Sequence, residues 1–282
     1  RTIFPEYLYD PGLFFDEDGK VYVVHGQGTL YLTELNSDVK SVKGKPVKIW
    51  QGGFKNAHEL GGGFGMEGSH MYRINGKYYI TCPAGGTGGW QIFLRSDNIY
   101  GPYEHKLIMN DWSSYPENGL HQGGMVQLKN GDWWFMIMQD RGPIGRVPCL
   151  VPVKWIDGWP MLGDEGKDLI TYPKPATGKK SKIKSPATTD EFNASQLGLQ
   201  WQWNHNPDNS RWSLKERKGY MRLYASQAST LKDARNTLTQ RVQGPSCEGS
   251  VEMEVTGLKD GNIAGFGIFE FPYAYVAIRQ ES

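Results

Sequence analysis

The sequence is poor in cysteine, has no excess of charge of either sign and contains no long hydrophobic run. Its three cysteines, Cys82, Cys149 and Cys247, stand far apart without a CxxC pair, so neither a disulfide framework nor a zinc site is indicated. The 31 basic and 30 acidic side chains are spread along the chain, which argues against nucleic acid and anionic membranes as partners. No apolar segment approaches the ~18 residues of a membrane span. An uncharged partner is therefore favoured, and the compartment stays open.

Glycine and aromatic residues, by contrast, are abundant. The 282 residues include 36 glycines, and 13% of the chain is Phe, Trp or Tyr. Such a composition is typical of β proteins with many turns, in which large rings fill the core or line a groove for carbohydrate. The length exceeds that of one typical domain, so we expect two domains or one large β domain with an appendage.

Three segments of the chain share one plan, in which a polar residue precedes an apolar run, a glycine turn and an aromatic run. They are YDPGLFFDEDGKVYVVHG from Tyr9, MEGSHMYRINGKYYITCP from Met66 and HQGGMVQLKNGDWWFMIM from His121. Asp-Gly or Asn-Gly between two such runs predicts a β-hairpin with a type I′ turn, in which both central residues have positive φ. The turn glycines, at intervals of 57 and 55 residues, are Gly19, Gly76 and Gly131.

Further strands are predicted after each hairpin. They lie at 29–35 and 46–50, at 90–96 and 103–109, and at 147–155. A four-stranded repeat of this length is close to one blade of a β-propeller with long loops. The sequence therefore predicts an all-β fold with three blade-like units in residues 9–162 and no helix of consequence.

One titratable residue stands at the same phase of each repeat. Asp10 and Glu67 lie nine residues before their turn glycines, and His121 lies ten residues before its own. Radial repetition turns the start of every innermost strand towards one axis, so we predict that the three side chains converge at one mouth of the channel. The alternative for each residue alone is that it caps a strand or binds the backbone of a loop.

Two carboxylates across a sugar-sized gap are the usual apparatus of glycoside hydrolysis, one as general acid and the other as base or nucleophile. Glu67 lies between Met66 and Gly68, where we expect an enclosed site that suits an acid. Asp10 is either the other catalytic carboxylate or the neighbour that tunes Glu67. His121 has three interpretations, as general acid or base, as metal ligand or as core histidine, and a structural or supporting role is favoured.

Some other side chains are candidates for contacts with sugar. Trp90 follows a glycine-rich loop, where a Trp can stack on a sugar ring, and strand packing is the alternative. The loop QDRGPIGR, residues 139–146, adds Arg146 and also Arg141, which on the simplest interpretation pairs with Asp140. The weaker candidates are Phe54, Trp112 and Gln122.

A linker and a second β domain are predicted after the repeats. Residues 173–189, PKPATGKKSKIKSPATT, lack apolar periodicity, as linkers do, and separate domains at 1–172 and 190–282. The tail has seven short alternating runs, which predict a β-sandwich that we expect to be incomplete. Its Trp and Tyr residues either fill the core or bind carbohydrate. The runs lie at 199–205, 212–217, 220–226, 236–242, 250–255, 264–271 and 273–280.

With these motifs the sequence resembles glycoside hydrolase family 43, the five-bladed propeller glycosidases that include β-xylosidases and α-L-arabinofuranosidases. The resemblance covers about residues 1–165, and the tail from Thr189 resembles the concanavalin-like accessory sandwich of many members. It implies a five-bladed propeller type of fold, of which this chain contains about three blades. The carrying segments are YDPGLFFDEDGKVYVVHG, MEGSHMYRINGKYYIT, LHQGGMVQLKNGDWW and DRGPIGRVPCLVPVKW.

The resemblance also implies roles for individual residues. The family inverts configuration with an Asp base, an Asp that tunes the acid and orients the substrate, and a Glu acid. By motif, Glu67 falls on the acid, Asp10 on the tuning aspartate and Arg146 on an arginine in the deepest sugar subsite. His121 matches a histidine that in many members helps to hold calcium, largely through water. The chemistry itself is expected to need no cofactor.

One departure from the family concerns the general base. Nothing before Asp10 matches the family's Tyr-Pro-Asp-Pro-like stretch, and no repeat phase places Asp97, Asp111 or Asp140 on the axis. We therefore expect two N-terminal blades to be missing, either because another polypeptide supplies them or because the sequence is incomplete. The chain alone is then expected to lack turnover.

The sequence thus predicts a glycosidase that removes xylose or arabinofuranose from oligosaccharides derived from plant hemicellulose. One rival hypothesis is a catalytically inactive, carbohydrate-binding derivative of such an enzyme, which the missing base favours. The other is a propeller that serves as a scaffold for protein interactions and shows a large exposed apolar patch.

Overall fold

The computed structural model describes residues 4, 7–53, 65–110, 119–167, 171–175, 182, 184–244, 246–270 and 272–282. The chain divides into two compact units, residues 1–178 and 179–282. The division falls inside the predicted linker, of which only part is described, so the limits of the linker and domains stay predictions. Among the described residues the helical segments are three 3₁₀ turns of three residues each, which confirms the all-β class. None of these could cross a membrane.

Three four-stranded antiparallel sheets form the first unit, and they are the three predicted blades. In each sheet the strands are neighbours in chain order, which is the order of a propeller blade. Blade 1 consists of β1 (Gly12–Phe15), β2 (Val21–Gln27), β3 (Thr29–Leu35) and β4 (Val47–Gln51). Blade 2 consists of β5 (His70–Ile74), β6 (Lys77–Ala84), β7 (Trp90–Ser96) and β8 (Glu104–Met109). Blade 3 consists of β9 (His121–Gln127), β10 (Trp133–Asp140), β11 (Arg146–Ile156) and β12 (Trp159–Leu162).

The three predicted hairpins form, but only one has the predicted type of turn. Asn75 and Gly76 make a two-residue loop with φ of 51° and 79°, as a type I′ turn requires. The predicted type is wrong for the other two hairpins, where of the Asp-Gly or Asn-Gly pair only Gly19 and Gly131 have positive φ. Five residues separate their strands, so there is room for an ordinary turn that ends on the glycine.

Apolar residues between neighbouring blades form two cores. Alternate residues of β6, among them Ile80 and Cys82, pack with Phe14 of blade 1, whereas Tyr79 and Phe93 face blade 3. The first strands of neighbouring blades also approach one another. A Cβ on Gly12 of β1 would lie 2.1 Å from the Ser69 carbonyl oxygen just before β5. The Tyr72 hydroxyl of β5 accepts the backbone N–H of Met125 in β9 over 2.8 Å. These strands are therefore the innermost ones.

The second unit contains three two-stranded antiparallel ladders. Their strands overlap six of the seven predicted runs, with β17 beginning one residue before its run, and the prediction at 250–255 is wrong, since no ladder includes those residues. Trp203 lies 5.3 Å from Trp212 between ring centroids, and Phe192 stacks on Trp201 at 5.5 Å. At these positions the aromatic rings pack on one another. The strands are β13 (Trp201–Trp203), β14 (Trp212–Ser213), β15 (Arg222–Leu223), β16 (Leu238–Gln240), β17 (Ile263–Ile268) and β18 (Ala274–Arg279).

Candidate active site

The antiparallel order of the blades brings all the predicted site residues to one edge. The innermost strands β1, β5 and β9 begin at this edge, which we call the mouth edge, and end at the opposite edge, where the three hairpin turns lie. Second strands end at the mouth edge and third strands begin there. The mouth edge therefore contains every site residue predicted from the sequence: Asp10, Glu67, Trp90, His121, Gln122 and Arg146.

Each blade has one non-glycine residue with a left-handed backbone at its entrance. These residues are Asp10, Met66 and Gln122, with φ of 42°, 59° and 57°. Such conformations cost free energy in side-chain-bearing residues and persist only where their surroundings hold them. Strained backbone thus recurs at the mouth edge, next to the predicted site residues.

Glu67 is held by a neighbouring amide. The Nε2 atom of Gln27, in blade 1, donates a hydrogen bond to Glu67 Oε2 over 2.5 Å. Met66 is fully buried, but the Glu67 side chain is only partly buried, so the predicted enclosure of Glu67 is incomplete. A carboxyl group in this position is accessible to a ligand at the mouth edge.

The Tyr9 hydroxyl is influenced by the charges of both candidate carboxylates. Its pKa is raised, first by the Glu67 carboxylate, then by partial burial and by the Asp10 carboxylate. The Gln27 amide is 3.4 Å from the same hydroxyl oxygen. Asp10 itself is exposed. The two carboxylates that the sequence predicted to converge therefore lie within electrostatic reach of one phenol.

His121 is buried next to a third carboxylate. Its Nδ1 is 3.0 Å from the Gly119 carbonyl oxygen, which can only accept a hydrogen bond, and its Nε2 is 3.7 Å from Asp140 Oδ2. Burial lowers the pKa of His121, and the Gly119 carbonyl, Asp140 and Glu67 oppose that shift. The imidazole is neutral near pH 7. Arg146, 65% exposed, reaches the same carboxylate with Nε 3.6 Å from Asp140 Oδ1.

A buried amide network lies beneath Gln122. The fully buried Gln91 accepts the backbone N–H of Gln122 over 2.6 Å and donates to the Thr81 hydroxyl over 2.6 Å. The Gln122 side chain covers Gly68, where a Cβ would lie 2.7 Å from Gln122 Nε2. Through these contacts β6, β7 and β9 support the segment that contains Glu67.

Trp90 and the remaining candidates have different surroundings. The Trp90 ring packs against Gly85 and the core between blades 1 and 2, as expected for strand packing, and its buried Nε1 has no hydrogen-bond partner among the described residues. Asp97 pairs with Lys77 at the opposite edge, away from the site. Phe54, Trp112 and Asp111 lie outside the described residues.

Sequence reasoning missed four residues at the mouth edge, namely Tyr9, Gln27, Gln91 and Asp140. Asp140 was set aside because it has no equivalent in the other repeats, but it ends β10 and pairs in register with Arg146. Gln27 stands in the Gly-Gln-Gly segment 26–28 between two strands, and this tight turn was the available signal.

A calcium ion is implied by the resemblance and finds little support in the side chains. Among the described residues no three His, Cys, Asp or Glu side chains converge in a way that could hold a metal ion. His121 has its Nδ1 occupied by a backbone carbonyl, so only its Nε2, which faces Asp140 Oδ2 at 3.7 Å, would be left for an ion or its water. The calcium site stays a prediction, and no chemical step is derived through it.

The chain matches two family models. One is described as Glycosyl hydrolases family 43 and matches residues 4–160, and the other, Beta xylosidase C-terminal Concanavalin A-like domain, matches residues 189–282. A putative beta-xylosidase of Xylanibacter ruminicola is 36% identical over 88% of this chain and 47% of its own length. The non-reducing end alpha-L-arabinofuranosidase BoGH43B of Bacteroides ovatus is 33% identical over 76% of this chain and 42% of its own length.

A solved structure matches both units. It is a bifunctional GH43-CE protein of Bacteroides eggerthii, with a TM-score of 0.82 and 38% identity over 99% of this chain and 36% of that one. The chain spans somewhat under half the length of the two curated relatives. Its blades and its sandwich-like tail are nonetheless both matched in order, and the chain belongs to glycoside hydrolase family 43.

Proposed function

We propose that the polypeptide carrying this chain is an inverting, exo-acting glycosidase that removes xylose or arabinofuranose from hemicellulose-derived oligosaccharides. The observation that supports the proposal is the position of Asp10 and Glu67 at the entrances of neighbouring blades on the mouth edge, where the Gln27 amide contacts Glu67 and lies 3.4 Å from the hydroxyl of Tyr9, the residue before Asp10. The names of the two relatives, a putative beta-xylosidase and an alpha-L-arabinofuranosidase, support the choice of sugars.

Glu67 is the proposed general acid. Its carboxyl proton passes to the glycosidic oxygen while the bond between that oxygen and the anomeric carbon breaks and its electron pair stays on the oxygen. A half-exposed carboxyl group at a mouth suits this role, because the leaving group must reach it and then depart. Asp10, at the entrance of the neighbouring blade, is proposed to tune Glu67 and to orient the sugar.

His121 and Arg146 are proposed to organise the sugar site through Asp140. The neutral imidazole presents no competing charge to the acid, and the exposed guanidinium has donors left for sugar hydroxyls. An inverting enzyme also needs a base that activates water about 6.5–9.5 Å from the acid. No residue of this chain is assigned to that step.

The proposal is tested by Glu67→Gln in the intact polypeptide that carries this chain. We expect kcat on methyl xylosides and arabinofuranosides, whose leaving group needs a proton, to fall about 10²- to 10⁴-fold, the usual contribution of general acid catalysis. The control is Glu104→Gln, an exposed glutamate of β8 whose partner is Arg95, and it should keep the wild-type rate. Wild-type turnover in Glu67→Gln would remove Glu67 from the acid role.

A second candidate function is sugar binding without turnover. It is favoured by the lack, within this chain, of an aspartate that matches the family's base. Xylo- and arabino-oligosaccharides should be titrated calorimetrically into this 282-residue chain while sugar release is assayed in parallel. Binding without release supports this candidate, and release of monosaccharide excludes it.

A further inference from the structure

The turn between β2 and β3 contacts both segments that carry the candidate carboxylates. The backbone N–H of Gly26 donates to the Tyr9 carbonyl over 2.9 Å, next to Asp10. The backbone N–H of Gly28 donates to the Gly65 carbonyl over 2.8 Å, two residues before Glu67. The turn thus fixes the entrance of its own blade and that of the next blade.

The two glycines keep this turn tight. Gly26 has φ of 123°, and a Cβ there would lie 2.1 Å from the Thr29 carbonyl oxygen. Gly28 has φ of 69°. Since only glycine adopts the first of these conformations without strain, the turn has little freedom, and the residue between them is presented at a fixed point.

Gln27 is that residue, and its side chain lies along the Glu67 carboxyl group. Its Nε2 donates to Oε2 over 2.5 Å, and within the described residues no other hydrogen bond reaches this carboxyl group. An amide N–H can only donate, and a carboxyl oxygen without a proton is a better acceptor than one that carries a proton. The hydrogen bond to Oε2 therefore favours the proton on Oε1.

We infer that Gln27 is a positioning residue for the proton donor. Its N–H engages Oε2 of Glu67, directs the acidic proton to Oε1, and stabilises the carboxylate that remains after the proton has passed to the leaving group. This inference rests on the proposed function, in which Glu67 is the general acid. Gln27 itself is exposed at the end of β2, so a substitution there removes the hydrogen-bond donor without creating a cavity in the hydrophobic core.

The test compares leaving groups in Gln27→Leu of the intact polypeptide. A 4-nitrophenyl glycoside has a leaving group that needs little protonation, whereas a methyl glycoside of the same sugar depends on the acid. We expect kcat to fall about 10- to 100-fold on the methyl glycoside, as for the loss of a hydrogen bond to a charged group, and less than ~3-fold on the 4-nitrophenyl glycoside. KM should change little on either substrate.

Two further variants sharpen the result. Gln27→Glu keeps the length of the side chain but places a carboxylate against Glu67, and it should lose more on the methyl glycoside than Gln27→Leu does. Gln127→Leu is the matched control, since Gln127 ends β9 and its amide donates to the Gly131 carbonyl at the opposite edge. It should behave like the wild type.

Equal losses on both leaving groups, or wild-type rates on both, would overturn the positioning role of Gln27. Glu67→Gln is measured in the same series. If that variant retains turnover, the proposed function fails. If it is inactive on the methyl glycoside while Gln27→Leu matches Gln127→Leu, only the inference about Gln27 fails.

Discussion

At the opposite edge of the three blades the chain turns through short hairpin loops and a buried ion pair. At the mouth edge of the same strands it places amide side chains and partly exposed carboxylates. Non-glycine residues with a left-handed backbone occur at both edges, but only those at the mouth edge, Asp10, Met66 and Gln122, are predicted site residues or their neighbours. The difference indicates that the opposite edge joins the blades, whereas the mouth edge holds polar groups in place.

The opposite edge owes much of its stability to Asp16. This side chain is 8% exposed, and its carboxylate accepts hydrogen bonds from Arg73 over 3.0 Å, from the Tyr78 hydroxyl over 2.8 Å and from the Glu17 backbone over 2.8 Å. Burial raises the pKa of Tyr78, and its hydrogen bond to Asp16 adds to the shift. Asp16 belongs to blade 1 and its two side-chain partners to blade 2, so the cluster joins the blades.

The largest effect on stability is expected for Asp16→Ala. Removal of the Asp16 carboxylate leaves the buried Tyr78 phenol without its acceptor and the partly exposed Arg73 with only Glu17, 3.5 Å away, which should lower the free energy of unfolding by about 3 kcal/mol. Asp18→Ala, two residues further along the same turn, removes only an exposed pair with Lys20 and should change the free energy of unfolding far less. Urea denaturation of both variants measures the difference.

The activity of the folded fraction provides the control for this comparison. Asp16→Ala should keep the wild-type kcat at a temperature where it is fully folded, because its contacts lie at the edge away from the carboxylates. A fall in kcat that is as large as that of Glu67→Gln would contradict the separation of the two edges.

The next effect concerns Gln91, the buried amide at the mouth edge. Gln91→Leu keeps the volume but leaves the Gln122 N–H and the Thr81 hydroxyl unpaired in the interior, at a cost of about 2 kcal/mol. Because Gln122 then loses the bond that holds its left-handed backbone, kcat should fall as well. Denaturation and kinetics are measured side by side.

Gln51→Leu is the matched control for that variant. Gln51 ends β4 and is exposed, so its replacement should change the unfolding free energy by less than ~0.5 kcal/mol. A Gln91→Leu variant that loses stability without any loss of kcat would show that the buried network does not support the site.

What the sequence could predict were the features set by local patterns. Alternating apolar residues and glycine turns indicated three blades, and the repeat phase brought Asp10, Glu67 and His121 to one edge. What it could not predict were contacts between residues far apart in the chain. Gln27 and Glu67 are separated by 40 positions, and Gln91 and Gln122 by 31. No periodicity relates these pairs, and only the packing of blades brings them together.

The turn type was predicted wrongly for two of the three hairpins for a related reason. The Asp-Gly and Asn-Gly pairs are alike in sequence, but the register of the flanking strands decides how many residues the loop contains. In the five-residue loop of the first hairpin, the backbone carbonyl of Asp16 accepts the Gly19 N–H over 3.0 Å, and no second residue with positive φ is needed. Apolar and polar residues likewise alternate at 250–255, but these residues pair with no strand in the described part of the chain.

The smallest loss of stability is expected for alanine substitutions of two glycines, one at each edge. Gly76→Ala and Gly68→Ala both place a side chain at positive φ, 79° and 55°, and each should lower the unfolding free energy by about 1 kcal/mol. The new methyl group at 76 meets open space, whereas that at 68 displaces the flexible end of Gln122 next to Glu67. Only Gly68→Ala should therefore lower kcat on glycosides with poor leaving groups. Equal kinetics in two variants of equal stability would mean that the Gln122 amide has no part in holding the acid, and that the strained entrance of blade 2 serves packing alone.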